Sequence, residues 1–171
     1  MDLPDLVLLA ESNGNVSDYL DRIYNLYCKT LVNGNLYFLN KKIICQWAPP
    51  TNNKHYNFWH IISSEGSISG EDNRDICFRR CERLAWIHAI IKNSLNTEEI
   101  LCWHSERKGK TYTVLYLHSE RYVVILRENR DYFQLTTAYP IERERQHKKF
   151  LDEQAAYTAL NLDPRKSKGR P

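Results

Sequence analysis

The fold of this chain is decided by residues 99–140, EILCWHSERKGKTYTVLYLHSERYVVILRENRDYFQLTTAYP. Short turn-like segments (ERKGK, SER and ENRD) separate four extended apolar runs, which are EILCWHS, TYTVLYLHS, RYVVILRE and DYFQLTTAYP. Links this short join antiparallel strands, because parallel strands require a crossover of a dozen or more residues. The stretch therefore predicts an antiparallel, four-stranded meander.

Segments with apolar residues at helical spacing precede and follow the meander in the sequence. Residues 17–32, SDYLDRIYNLYCKTLV, carry an apolar stripe, with Ser17 or Asp18 as the candidate N-cap. Residues 75–93, DICFRRCERLAWIHAIIKN, carry a stronger stripe. Residues 141–160, IERERQHKKFLDEQAAYTAL, are polar at first and apolar later. Each of the three segments predicts a helix.

Three shorter apolar runs lie between the first two helices. NLYFLN and KKIICQWA, which meet at Asn40 and Lys41, predict a hairpin, and residues 55–63, HYNFWHIIS, predict another strand. Together these elements predict an α+β fold, with N-terminal helices packed on a mostly antiparallel sheet of four to six strands and a C-terminal helix. Residues 1–162 show no repeat and no linker, so they predict a single domain.

Composition indicates a folded protein outside the membrane. The chain has 171 residues, of which 42% are hydrophobic, and its mean hydropathy is −0.60. The N-terminal apolar run, residues 6–10, is too short to span a bilayer, and no positive charge precedes it. We therefore expect a cytoplasmic protein that neither enters nor binds a membrane.

Basic residues are concentrated at the C-terminus. Arg165, Lys166, Lys168 and Arg170 lie within the last seven residues. Removing these four from the 24 basic residues leaves 20 against 21 acidic ones, so the body is close to neutral. Residues 163–171 predict a disordered basic tail that either adds weak, salt-sensitive affinity for nucleic acid or serves solubility alone.

Five cysteines, an odd number, indicate reduced thiols and not a disulfide framework. Cys77, Cys81, Cys102 and His104 together raise the possibility of a zinc site. Their spacing does not match a zinc knuckle or ribbon, in which paired ligands lie on tight turns. A cysteine pair on the apolar stripe of a helix is more often part of a core, and we expect no metal site and no cofactor.

Three residues suggest acid–base chemistry near a phosphate. His60 ends an aromatic run before a polar segment, and an imidazole titrates near neutral pH. Thr137 and Tyr139 are two residues apart, so on a strand their hydroxyls point to the same face. The alternatives are a structural histidine and two residues chosen for β-propensity.

Two basic clusters are candidates for phosphate binding. Arg79, Arg80 and Arg83 lie on the predicted helix after His60, where a solvated helix face is the alternative. Arg107, Lys108 and Lys110 surround a predicted turn. Glu106, Arg107 and Lys108 also match the E-x-K half of a metal-dependent nuclease motif, but Gly109 follows at once and favours a hairpin turn.

The order of these pieces resembles a nuclease superfamily. NFWHI before a helix, followed by a meander ending in LTTAYPI, is similar to the small nucleases grouped around barnase, EndoU, the colicin-type tRNases and RelE (the BECR fold), above all to their phage-associated and contact-dependent toxin branches. The resemblance covers residues 55–141, half of the chain. It departs from the family pattern in that the usual catalytic basic residue has no unique counterpart and the usual glycine is displaced to Gly66.

The resemblance implies a metal-independent endoribonuclease of the toxin type. Its products would carry 2′,3′-cyclic phosphate and 5′-hydroxyl ends, and its partners would be RNA, with tRNA a candidate, and a neutralising or host protein. The catalytic residues would be His60, Lys110, Thr137 and Tyr139, and the substrate-binding residues would be Arg79, Arg80, Arg83, Arg107 and Lys108. The alternative is a non-enzymatic phage or mobile-element protein that binds a host protein or nucleic acid, which the near-neutral body favours.

Overall fold

The computed structural model describes residues 1–64, 75–160 and 162–166. A 3₁₀ turn, Leu9–Ser12, precedes the first helix, and α1 runs on into a π-helical turn at Cys28–Val32. The helices are α1 (Val16–Tyr27), α2 (Tyr56–Ile62), α3 (Phe78–Glu82), α4 (Leu84–Asn93) and α5 (Glu144–Ala159). The strands are β1 (Tyr37–Phe38), β2 (Lys41–Ile44), β3 (Ile100–Arg107), β4 (Lys110–Leu117), β5 (Tyr122–Glu128) and β6 (Tyr132–Pro140).

All six strands form one sheet in the order β1-β2-β6-β5-β4-β3. The predicted meander, β3 to β6, and the predicted β1–β2 hairpin are confirmed, and both are antiparallel. β2 and β6 pair in parallel, so the sheet is mixed. This pairing is possible because β3, β4 and β5 alternate in direction between the two strands, so that β6 begins at the end of the sheet where β2 began. The predicted α+β class is confirmed.

Helices cover both faces of the sheet. On the first face, α1, α2 and α4 bury a large core in which Ile23, Phe58 and Ile87 pack with Val124 and Leu135 of the strands. On the second face, α5 packs its buried Phe150 against a smaller cluster of strand residues. The ring centroid of Phe150 lies 5.8 Å from that of Trp103 and 5.6 Å from that of Tyr116.

The strand predicted at residues 55–63 is wrong, because Tyr56–Ile62 form α2. Phe58, Ile61 and Ile62 lie three and four residues apart, and all three are fully buried on one side of the helix. Burial of that stripe outweighs the β-propensity of the aromatic and β-branched residues in the segment. This change determines how the site described below is built.

The predicted helix boundaries also shift. The first helix is capped by Asn15, whose Oδ1 accepts hydrogen bonds from the backbone N–H groups of Ser17 (3.0 Å) and Asp18 (3.2 Å), so neither of these two is the N-cap. The helix predicted over 75–93 is divided into α3 and α4 at Arg83, whose backbone leaves helical geometry. The third predicted helix, α5, is confirmed.

A β-bulge in β6 changes the direction of its side chains. Ile125 pairs with Thr137 and the next residue of β5 pairs with Leu135, which leaves Thr136 as the extra residue. Leu135 and Ala138 therefore both point into the core of the first face, although they are three residues apart. Beyond the bulge, Thr137 points to the second face.

The start of the predicted basic tail is packed against the body. The Asp163 carboxylate accepts two hydrogen bonds from the Arg165 guanidinium, at 3.0 and 3.1 Å. Nη1 of Arg165 donates to the carbonyl oxygens of Ser94, Thr97 and Ile100, at 3.2 to 3.4 Å. Residues 163–165 are therefore ordered by these contacts, and residues 167–171 lie outside the described residues. No helix in the described part of the chain is long and apolar enough to cross a membrane.

Three partly buried histidines make the stability of the fold depend on pH. Burial lowers the pKa of His55, His88 and His104 below the ordinary value of 6.5. Between the lowered values and 6.5 the unfolded chain therefore binds more protons than the folded protein. The resulting stabilisation is complete above pH 6.5 and is lost as the pH falls through the lowered pKa values.

We expect the urea midpoint to be constant between about pH 7 and 8 and to fall as the pH is lowered from about 6.5 to 5. Chemical denaturation followed by tryptophan fluorescence measures this. Replacing His104, whose Nδ1 lies 3.2 Å from the hydroxyl of Thr113, by glutamine removes one of the three groups and is expected to flatten the decline. A midpoint that does not change between pH 7 and 5 would contradict the prediction.

Candidate active site

A cavity of about 730 Å³ opens on the second face of the sheet. It lies between the end of α2, the start of α3, the start of α5 and the last residues of β6. Its walls are formed by His60, Ser63, Ser64, Cys77, Arg80, Arg107, Ile125, Thr137, Tyr139, Pro140, Glu142, Arg143 and Gln146.

His60 reaches this cavity from the last turn of α2, and that helix is fixed to β6 by Asn57. Asn57 is buried, with 3% of its surface exposed. Its Nδ2 donates to the carbonyl oxygens of Leu135 (2.8 Å) and Thr136 (3.2 Å), at the bulge, and its Oδ1 accepts from the hydroxyl of Tyr27 (3.3 Å). His60 lies one helical turn later, so these bonds set its position relative to Thr137.

The two hydroxyl residues of β6 form the floor of the cavity. Thr137 and Tyr139 both line it, as their two-residue spacing predicted. The hydroxyl oxygen of Tyr139 accepts a hydrogen bond from Nε2 of Gln146 at 3.5 Å. The Arg80 guanidinium carbon lies 5.1 Å from the centroid of the Tyr139 ring, within the range of a cation–π contact.

Arginines give the cavity its charge. Arg80 also donates to the carbonyl oxygen of Ser63, so its guanidinium is held in place from two sides. Arg107, at the end of β3, and Arg143, which precedes α5, contribute two more positive charges. Among the described lining residues Glu142 is the one carboxylate, and it forms an ion pair of 2.9 Å with Arg79. The net positive charge suits an anion such as phosphate.

A buried hydroxyl in the cavity wall lacks a hydrogen-bond partner. Ser63 is 6% exposed, and its Oγ forms no hydrogen bond within the described ranges. Its backbone is fixed at both ends of the residue, since Ser63 N donates to Trp59 O (3.1 Å) and Ser63 O accepts from Arg80. A buried polar group without a partner is unusual, and it is common at sites that receive a ligand.

The structure brings five of the sequence-predicted residues to the cavity: His60, Arg80, Arg107, Thr137 and Tyr139. It places the other four outside the cavity wall. Arg79 lies at the rim in its pair with Glu142, and Arg83 pairs with Glu82 at 3.0 Å. Lys108 occupies the β3–β4 turn with a positive φ of 50°, and Lys110 pairs with Arg107 at the start of β4. In the E-x-K segment, Glu106 and Arg107 end β3 and Lys108 begins the hairpin turn that the sequence predicted there.

Sequence reasoning missed Asn57, Ser63, Glu142, Arg143 and Gln146. The first two were missed because residues 55–63 were predicted to form a strand. That prediction did not place Asn57 at a buried position, where a polar side chain would have been unusual. The polar start of the last predicted helix contains the other three, and its position directly after LTTAYPI was a usable signal. The displaced Gly66 lies outside the described residues.

The four residues considered as zinc ligands lie in different parts of the fold. Burial raises the pKa of the Cys81 and Cys102 thiols to about 12, as expected for core cysteines. Cys77 lines the cavity, whereas Cys102 lies on β3 in the core of the first face. Within residues 1–64, 75–160 and 162–166, no group of three or more histidine, cysteine or acidic side chains is placed to hold a metal ion.

Comparison with known proteins identified no relative of this chain. No protein-family model, curated protein or solved structure matches the chain. The chemistry of the cavity therefore rests on its own residues.

Proposed function

We propose that this protein is a metal-independent endoribonuclease. The observation that carries the proposal is that an imidazole, two strand hydroxyls and two arginines, which are far apart in sequence, line a single cavity: His60, Thr137, Tyr139, Arg80 and Arg107. A volume of about 730 Å³ lies within the range of small-molecule sites and accommodates a nucleotide.

The reaction suited to these groups is attack of the ribose 2′-oxygen on the adjacent phosphorus. The bond from oxygen to phosphorus forms as the bond to the 5′-oxygen breaks, which gives a 2′,3′-cyclic phosphate and a 5′-hydroxyl end. One proton leaves the 2′-hydroxyl and one is added to the departing 5′-oxygen. RNA supplies the nucleophile itself, so no metal-bound water is required.

His60 and Glu142 carry the two proton transfers in this proposal, since both line the cavity and an imidazole and a carboxylate are side chains that serve as general acid and base. Arg80 and Arg107 offset the negative charge that develops on the phosphate. Thr137 and Tyr139 donate hydrogen bonds to its oxygens or orient the imidazole. Lys110, which the sequence suggested as a catalytic residue, has no part because it lies outside the cavity wall.

The proposal is tested by incubating the purified protein with total RNA, and separately with tRNA, in the presence of EDTA. We expect internal cleavage, with ends that resist ligation until the cyclic phosphate is removed. Growth arrest on expression in cells would agree with a toxin. A protein that cuts neither substrate, with or without added Mg²⁺, would overturn the proposal, and cleavage abolished by EDTA would favour a metal-dependent nuclease.

Arg80 supplies a further prediction. Arg80→Ala is expected to lower kcat/KM for RNA about 100-fold, because a fixed cation facing the phosphate is lost. Arg80→Lys is expected to recover only part of this, because an ammonium lacks the planar guanidinium that lies over Tyr139. Arg22→Ala, which removes an exposed arginine paired with Glu11 on the far side of α1, is the matched control and should be silent.

A non-enzymatic interaction protein is the second candidate. Without the four basic residues of the tail, the chain has 20 basic and 21 acidic residues, so its body is close to neutral. Proteins that bind RNA often carry a larger excess of positive charge, so the near-neutral body favours this candidate. Two results together would support this candidate: the wild-type protein cleaves no RNA, and the wild-type and His60→Ala proteins capture the same stoichiometric partner equally well.

A further inference from the structure

The second face of the sheet is covered by α5 over only part of its area. Residues paired directly across neighbouring strands point to the same face. Following the pairings outward from the α5 contacts identifies ten strand positions on this face, of which nine lie beyond the helix-covered cluster and one, Tyr112, packs against its edge. We name them the open platform: Tyr37, Lys42, Ile44, Ser105, Arg107, Lys110, Tyr112, Arg127, Tyr132 and Gln134.

The open platform exposes large hydrophobic side chains, two of them aromatic. Tyr37 is 55% exposed, Ile44 is 42% exposed and Tyr132 is 36% exposed. Lys42 pairs with Tyr37 on one side and with Tyr132 on the other, so the two rings flank a lysine in one row across three strands. Tyr112, two strands further on, is half-buried at the border between the platform and the helix-covered cluster. Exposed tyrosines grouped on one sheet face are uncommon in a protein that binds nothing there.

The charge of the open platform has one sign. Lys42, Arg107, Lys110 and Arg127 belong to it, and in the described part of the chain none of the four forms an ion pair. The acidic residues of these strands point away: Glu106 pairs with Thr111, and Glu128 pairs with the buried Phe133 and binds Lys41 on the first face. The platform is therefore positive although the body as a whole is close to neutral.

The open platform is continuous with the cavity. Arg107 belongs to both. Arg127 of the platform is two residues from Ile125, and Gln134 is separated from Thr137 only by Leu135 and the bulge residue; Ile125 and Thr137 both line the cavity. A chain lying across the platform would thus enter the cavity without leaving the sheet face.

We propose that the open platform binds single-stranded RNA and leads it into the cavity. Alternating aromatic rings and cations are what an unpaired strand requires, because its bases stack on the rings while its phosphates face the positive charges. A duplex cannot use the rings, since its bases are already stacked. The choice of RNA rests on the proposed function, whereas the preference for an unpaired strand rests on the platform alone.

The test measures binding without cleavage. Fluorescence anisotropy of a labelled twelve-nucleotide oligouridine RNA is recorded over a series of salt concentrations with the His60→Ala protein as the parent. Adding Tyr37→Ala or Tyr132→Ala is expected to weaken binding about 10-fold with no change in the salt dependence. Adding Lys42→Ala is expected to lower the slope of log K against log salt by about 0.7, the value for one phosphate contact on a single strand.

Lys92→Ala, which removes an exposed lysine of α4 on the other side of the molecule, is the matched control and should change neither quantity. A duplex of the same length should bind at least 10-fold more weakly. Equal binding of duplex and single strand, or tyrosine variants that bind like the parent, would overturn the platform. If the wild-type protein cleaves RNA while these variants behave like the parent, only the platform fails. If the variants lose binding but the wild-type protein cleaves nothing, only the ribonuclease proposal fails.

Discussion

Replacing His60 by alanine is expected to lower the rate of RNA cleavage by about 10²- to 10⁴-fold and to leave the fold intact. The imidazole lines the cavity and lies nearly parallel to the ring of Tyr56, with the centroids 6.2 Å apart. His60 is half-buried and does not belong to the core, so the fold is expected to tolerate its loss. In the proposed reaction, its removal takes away one of the two groups that transfer protons. Single-turnover cleavage of a defined RNA, with thermal unfolding in parallel, measures both quantities.

His118 provides the matched control for this change. It is exposed in the turn between β4 and β5, away from the cavity wall. His118→Ala is therefore expected to cleave at the wild-type rate. If His60→Ala retains full activity, or loses it only in proportion to lost folded protein, then His60 carries no proton and the assignment of the active site is wrong.

Replacing Asn57 by alanine is expected to have the largest effect on stability, lowering the free energy of unfolding by about 2–3 kcal/mol. The change leaves the carbonyl oxygens of Leu135 and Thr136 and the hydroxyl of Tyr27 without the partner they share. Burial denies them water as a replacement, since Asn57 is 3% exposed. Urea denaturation monitored by circular dichroism measures the loss.

The same substitution is expected to reduce cleavage even under conditions where the variant is fully folded. Asn57 fixes α2 to the bulge of β6, and His60 and Thr137 lie on either side of that link. Asn93→Ala is the matched control, because Nδ2 of Asn93 donates at 2.8 Å to a carbonyl within its own helix, and we expect a loss of under about 1 kcal/mol. Equal effects of the two substitutions would show that Asn57 is not an anchor.

The sequence could predict the meander and its faces because both depend on neighbouring residues. Alternation with a period of two, interrupted by short polar links, leaves little choice of strand direction. The same period placed the hydroxyls of Thr137 and Tyr139 together, and the cavity contains both. Helix α4 was equally readable, because its apolar stripe extends over nearly three turns.

Residues 55–63 show why the rest of the site could not be predicted. Over seven residues, an apolar run fits a buried strand and a short helix almost equally well. The choice of helix is made by contacts with distant parts of the chain, among them the bonds from Asn57 to Leu135 and Thr136, 78 and 79 residues later. Those contacts leave no mark on the local pattern.

Which of the basic residues belongs to the site was likewise settled by the fold. Arg79, Arg80 and Arg83 are equivalent by composition, but Arg79 and Arg80 are successive residues of α3 and point in different directions, and Arg83 lies at the break between α3 and α4. Arg80 alone of the three lines the cavity, where it contacts Ser63 and Tyr139, whereas Arg79 and Arg83 pair with glutamates. The parallel pairing of β2 with β6, which extends the sheet into the open platform, is also a long-range event.

By itself, then, the sequence of this protein determined its class, the order of its last four strands and the side of the final strand on which two hydroxyls stand, because local periodicity encodes these features. Only the tertiary structure decided that one histidine and two arginines join those hydroxyls around a cavity. The physical reason is that burial energy is gained between segments far apart in the chain, and this energy, not local propensity, chose helix over strand for α2 and so brought His60 to the last residues of β6.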